Sequence, residues 1–128
     1  MARVSYMTVG SNRLEEAKAF YDALLGSIGM AGVHEHASGG RLYRGKGTGM
    51  FGVLGPYDGA AACVGNGVMG GFDFETREEV DTFHAKALEL GGTCEGAPGE
   101  RMPGAYFAYF RDLDGNKLCV ACHAPADD

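Results

Sequence analysis

Apolar residues recur along the chain in two registers, and the alternation between them predicts the elements. Residues 3–9, RVSYMTV, read as a strand. Leu14, Ala17, Phe20, Tyr21, Leu24, Leu25 and Ile28 then return at three- and four-residue steps, which places them on one face of a helix. Asn12 offers a side-chain oxygen as the cap, Glu15 closes a capping box three residues on, and Gly26 and Gly29 supply the stop. Residues 66–92 repeat this order. A strand runs to about Phe74, Thr76 and Glu79 form a second box, and Val80, Phe83, Ala87, Leu88 and Leu90 make the stripe before Gly91 and Gly92.

A shift of 63 residues lays Phe20 on Phe83, Leu25 on Leu88, Gly29 on Gly92 and Tyr6 on Met69, so strand, cap, helix and stop coincide together. The segments after each helix also match. MAGVHEHA, RLYRG and GMFGVLG follow the first, and TCEGA, AYFAYFRD and NKLCVAC follow the second, each a short extended run bounded by turn residues. Asp114-Gly115-Asn116 is the clearest hairpin turn. The predicted class is α+β, built from two tandem βαβββ modules in a single domain spanning 1–128. The pseudo-repeats cover 3–55 and 65–123, joined by a connector over 56–64 that reads as flexible.

Composition tests this picture. Of 128 residues 22 are glycine, far above the roughly 7% of an average protein. The glycines keep no three-residue period, and seven Phe, six Tyr and a 45% hydrophobic content exclude simple disorder. Twelve glycines fall between Gly39 and Gly71, which suggests a linker until the strands on either side are recognised. The net charge of −6 with no basic run disfavours phosphate backbones and anionic lipid, leaving a small molecule as the expected partner, with no nucleic acid and no membrane. MARVSYMTVG carries no apolar run of the length a secretory signal needs, so the expected compartment is the cytoplasm, with Cys63, Cys94, Cys119 and Cys122 reduced.

The duplicated plan, AFYDALL after the first strand, GNG before the fifth and the Asp-x-Asp-Gly-Asn hairpin together resemble the vicinal oxygen chelate superfamily, the glyoxalase, bleomycin-resistance and ring-cleaving dioxygenase group. The resemblance runs from about Val4 to His123. It implies a curved mixed sheet around a cleft with the helices outside, a homodimer, and a divalent metal held by His and Glu from the first, fourth, fifth and eighth strands. Those positions fall here on Tyr6, Gly52, Met69 and Cys119. Glycine offers no lone pair, and a neutral phenol and a thioether are poor ligands for zinc, nickel or manganese. The expectation is therefore the superfamily's scaffold with no metal and no cofactor.

Several shorter motifs carry weaker chemistry. Cys119-Val-Ala-Cys122-His123 matches a c-type haem string, but its neighbours read as strand, where the two cysteines face opposite sides. His34 and His36 could share one face of a strand about 7 Å apart, a ligand pair if a third donor approaches. His84, between Val80 and Leu88, reads as a packed helix histidine. Gly47-x-Gly49-x-x-Gly52 and the string from Gly40 to Lys46 resemble phosphate loops, yet no helix pattern follows to receive a phosphate. Asp112-x-Asp114 resembles an EF-hand start, but position 12 would be His123, which cannot replace the bidentate Glu.

With Tyr6, Gly52, Met69 and Cys119 facing the cleft as the resemblance implies, strand parity also turns Thr8, Gly71 and Ala121 toward it, and Val9, Phe72, Leu118 and Val120 toward the helices. Arg101, Tyr106 and Tyr109 are the polar additions, with Arg101 in a Pro-Gly-x-Arg stretch similar to bacterial relatives and able to clamp a carboxylate. The leading expectation is a small, partly apolar ligand bound without metal. The alternatives are a metal-dependent lyase or dioxygenase with an atypical site, and a non-catalytic structural role. The sequence leaves open whether the protein is an enzyme.

Overall fold

A computed structural model of the chain describes residues 1–123. Two units follow one another, Met1–Gly65 and Asn66 onward. The first holds β1 (Tyr6–Gly10), α1 (Leu14–Gly26), β2 (Ala31–Glu35), β3 (Arg41–Arg44) and β4 (Met50–Leu54). Its sheet runs β1-β4-β3-β2, with β1 parallel to β4 and the other pairs antiparallel. The second holds β5 (Gly70–Phe74), α2 (Arg77–Glu89), β6 (Thr93–Met102), β7 (Ala105–Arg111) and β8 (Lys117–Cys122), in the matching order β5-β8-β7-β6. The class is α+β, two mixed four-stranded sheets in tandem, each with one helix.

In the first unit Ala17, Phe20, Tyr21, Leu24 and Leu25 are the buried stripe of α1. Tyr21 meets Phe51 of β4 with ring centroids 4.8 Å apart and Tyr43 of β3 at 6.5 Å. Each such apolar side chain contributes about 1.5–3 kcal/mol on full burial. Tyr43 is fully buried, and its hydroxyl donates to Asp22 Oδ1 at 2.7 Å. Burial, and then that bond, push the phenol well above its ordinary range. Arg41, two residues earlier on the same face, donates to Glu35 and to Asp22, closing an ion network over the end of the helix. In the second unit Val80, Phe83, His84 and Ala87 are buried on α2, and Phe83 touches Phe72, Phe74 and Phe110.

Three local expectations are corrected. The N-cap of α1 is Arg13, not Asn12, and arginine has no acceptor to give the first turn. Asn12 instead grips the connector: its amide donates to Ala62 O at 2.8 Å and its oxygen accepts from Ala62 N at 2.7 Å. The connector therefore carries a fixed point where the sequence suggested only slack, and an Asp58 turn precedes it. Thr76, by contrast, forms the complete capping box with Glu79. β1 begins at Tyr6 rather than Arg3, because its partner β4 starts at Met50 and Gly49 lies against the Ser5 carbonyl. β6 is ten residues long and absorbs Gly96, Pro98 and Gly99 through repeated register shifts.

The hairpin before β8 is as expected and tightly made. Asp112, 5% exposed, accepts at Oδ1 from Asp114 N and Asn116 N at 3.0 and 2.9 Å. Gly115 takes φ +91°, the left-handed conformation that favours glycine.

Candidate functional site

Each sheet has one face against its helix and one face away from it, and alternation decides which residues stand where. In the second sheet Ala108, Phe110, Leu118 and Val120 are buried and Phe110 meets α2 through Phe83. The intervening residues Phe107, Tyr109, Lys117, Cys119 and Ala121 therefore line the opposite face. Tyr109 pairs with Cys119 across β7 and β8, and Gly71 pairs with Cys119 from the other side.

Arg101 joins them from β6. Its guanidinium lies 5.6 Å from the Tyr109 ring centroid, with Nη2 donating to Ala97 O at 2.7 Å. A Cβ added at Gly96 would sit 3.2 Å from Arg101 Nη2 and one at Gly99 would sit 2.8 Å from Nη1, so both glycines make room for the guanidinium. The Lys117 ammonium lies 5.3 Å from the same ring. Cys119 is 7% exposed. Burial pushes its thiol up, against the opposing pull of Arg101 and Lys117. At the far end of the face His123 Nδ1 stands 3.3 Å from Asp73 Oδ1, and its ring meets Phe107 edge-on.

Tyr106 is not part of this group. Three residues from Tyr109 in one strand, it has the opposite parity, and its hydroxyl donates to Asp81 Oδ1 of α2 at 2.6 Å under the Arg77 guanidinium. That carboxylate raises the Tyr106 phenol above its ordinary value. Lys117, missed in the sequence, was legible by the same parity, since it stands two residues before Cys119. Met69 lies one residue ahead of β5 and is 47% exposed.

In the first sheet Tyr6, Thr8 and Gly52 share the face away from α1. Thr8 pairs with Gly52 as Gly71 pairs with Cys119, so Gly52 and Cys119 hold matching places in the two units. Tyr6 is 60% exposed. Gly52 is covered, since a Cβ there would lie 2.5 Å from Leu42 Cδ2 and 3.2 Å from Thr8 Cγ2. Apolar carbon thus fills the space into which a fourth-strand carboxylate or imidazole would project.

The donor set fits a divalent metal poorly. Of the four positions only Cys119 could bind strongly, as thiolate, and burial opposes that ionisation. Among the described residues no group of three or more His, Cys, Asp and Glu could hold an ion. His36 Nδ1 accepts from Ser38 N at 3.1 Å in a turn beyond β2, and a register shift interrupts the strand at His34. Buried His84 directs Nε2 to Tyr109 O at 3.1 Å, a structural bond. All four cysteines are free thiols. Among the described residues no helix is long and apolar enough to cross a membrane.

Known proteins place this arrangement. The family model for the glyoxalase/bleomycin resistance protein/dioxygenase superfamily matches residues 3–120, and the chain belongs to that superfamily. A glyoxalase/bleomycin resistance protein from Albidiferax ferrireducens shares 44% identity over 94% of this chain and 98% of its own, with a TM-score of 0.82. A glyoxalase-related enzyme from Fulvimarina pelagi, 19% identical over 95% of this chain and 88% of its own, has a TM-score of 0.75. A lactoylglutathione lyase from Agrobacterium tumefaciens, 21% identical over 95% of this chain and 94% of its own, has a TM-score of 0.68. At these lower identities the likeness is one of fold. The comparison with curated proteins returns no match.

Proposed function

We propose that this member of the superfamily binds a small, partly apolar molecule without a metal, on the face of the second sheet that bears Cys119, Tyr109 and Arg101. The observation that carries the reading is that face itself. A phenol, a thiol and a guanidinium gather there among Phe107, Ala121 and glycines, the mix of apolar surface and few polar groups typical of small-ligand sites. The matching position in the first unit supports it, because Gly52 has no donor and lies under Leu42. Met69 is a further candidate contact in this unit, Tyr6 and Thr8 are candidate contacts of the first unit taken by itself, and a homodimer in the cytoplasm belongs to the same reading.

Two measurements test it. A thermal-shift screen of small molecules should find compounds that stabilise the wild type and fail with Arg101→Ala, while Tyr6→Phe reports separately on the first unit. Metal analysis after loading with zinc, nickel or manganese should give far less than one ion per chain. A stoichiometric ion that is lost in Cys119→Ala overturns the proposal in favour of a metal-dependent enzyme.

A further inference from the structure

We propose that Asn66 is a site of spontaneous deamidation, where the first residue of the second unit converts with age to aspartate and isoaspartate. The site is separate from the ligand face and does not depend on what that face binds. The reaction is intramolecular, between neighbours in the chain. The Gly67 backbone nitrogen gives its proton to hydroxide and attacks the Asn66 side-chain carbon, and the side-chain nitrogen takes a proton from water and leaves as ammonia. Water then opens the succinimide so formed. Opening at the side-chain carbonyl gives aspartate, and opening at the main-chain carbonyl gives isoaspartate. Nothing is oxidised or reduced, and water is the one co-reactant.

The chain has three asparagines, Asn12, Asn66 and Asn116, and the fold holds two of them. Asn12 spends its amide on Ala62 O at 2.8 Å and its oxygen on Ala62 N at 2.7 Å. The Asn116 amide donates to both oxygens of Asp112 at 3.2 and 3.0 Å. These two precede Arg13 and Lys117, whose side chains crowd the attacking nitrogen, whereas Asn66 precedes a glycine. Asn66 and Gly67 are both exposed, and neither makes a hydrogen bond among the described residues.

The free Gly67 N–H decides the matter. A peptide nitrogen is a poor nucleophile while its lone pair is shared with the carbonyl, so the proton must leave and the peptide plane must turn. A hydrogen bond from that N–H opposes both. The two Asp-Gly steps of the chain carry one: Gly59 N donates to Pro56 O and Gly115 N to Asp112 O, each at 3.0 Å. Gly67 N has none, and a Cβ added at Gly67 would meet nothing within 4 Å, so the space beside it is open. Its φ of +86° suits glycine. The pair lies in a turn ahead of β5, outside any helix or strand whose ladder would resist ring closure. Either product adds one negative charge to a chain already at −6. Isoaspartate also lengthens the main chain by one atom just before Met69 and β5.

The test incubates the full chain at mildly alkaline pH, folded and in denaturing guanidinium chloride, in water enriched in 18O. Peptide mapping by mass spectrometry follows each asparagine, and electron-transfer fragmentation separates aspartate from isoaspartate. In the folded protein Asn66 should react about tenfold or more faster than Asn12 and Asn116, a barrier difference of about 1.4 kcal/mol. Its folded rate should lie within about tenfold of its unfolded rate, with one 18O atom gained and isoaspartate among the products. Asn66→Gln should abolish both products, because its ring would have six members and closes slowly. A folded rate more than about tenfold below the unfolded one overturns the proposal, since the fold then protects the step. Equal rates at the three asparagines, or aspartate with no isoaspartate, also overturn it.

Discussion

Leu42 lies over Gly52, its Cδ2 only 2.5 Å from where a Cβ at position 52 would stand. The contact is between neighbouring strands, since Leu42 pairs with Gly52 in the β3–β4 ladder. A methyl at 52 must move the tip of a flexible side chain. Gly52→Ala should therefore cost about 1 kcal/mol, the low end of overpacking, and Leu42→Ala in the same chain should recover part of it. Gly40→Ala makes the contrast: its Cβ would strike the Val53 carbonyl oxygen and Leu54 Cα, which are backbone. A loss of about 3 kcal/mol or more is expected there. Urea unfolding of the wild type and these three variants measures both.

The two helix starts predict different responses to loss of a polar side chain. Thr76→Ala removes a complete capping box and should cost about 1 kcal/mol in denaturant midpoint stability. Asn12→Ala removes no cap, but it releases Ala62. Its signature should be faster proteolysis within 56–64, read by mass spectrometry of early fragments.

Asp112 organises the β7–β8 turn through a side chain that is 5% exposed and accepts from two backbone N–H groups and from the Asn116 amide. Asp112→Ala strands those donors and should cost about 2–3 kcal/mol. Asp112→Asn keeps an acceptor oxygen and should cost less. Chemical denaturation ranks the pair.

Thiol labelling should follow burial and charge. Cys63 and Cys94 are exposed, whereas Cys119 is buried with its thiol pushed up by desolvation. At pH 8 iodoacetamide should label Cys119 about tenfold more slowly than Cys63 or more slowly still, and the Cys119 rate should climb as the pH is raised. Arg101→Gln removes a cation that favours the thiolate and should slow Cys119 further.

Glu95 gives the pH dependence its sign. The hydrogen bond from Arg111 holds its carboxyl below the ordinary value of 4.5. A group depressed in the folded state stabilises above its unfolded value, and that contribution is lost as pH falls through the folded one. Melting temperature should decline below pH 4.5, and Glu95→Gln should flatten the decline. The pair is exposed, so the effect is small.

Much of the fold was legible because it depends on periodicity. The stripes on α1 and α2 appear at their predicted places, and a repeat of 63 residues separates the starts of both helices, Leu14 and Arg77. With Tyr6 and Cys119 placed by the resemblance, parity put Thr8 and Gly71 on the same faces, where the ladders pair them with Gly52 and Cys119. It was not applied to Tyr106, whose residue type suggested a ligand contact although its place three residues from Tyr109 in one strand turns it toward Asp81.

Sequence by itself determined the elements, their duplication and the chemistry of each position, since hydrogen bonding within helices and the alternation of strands act over a few residues. Only the tertiary structure decided which side chains meet. That Leu42 covers Gly52 and that Arg101 and Lys117 each lie against Tyr109 are contacts between neighbouring strands, and Asn12 reaches Ala62 across 50 residues. They depend on strand order, register and the bulges of β6, and no local pattern of residues encodes those three together.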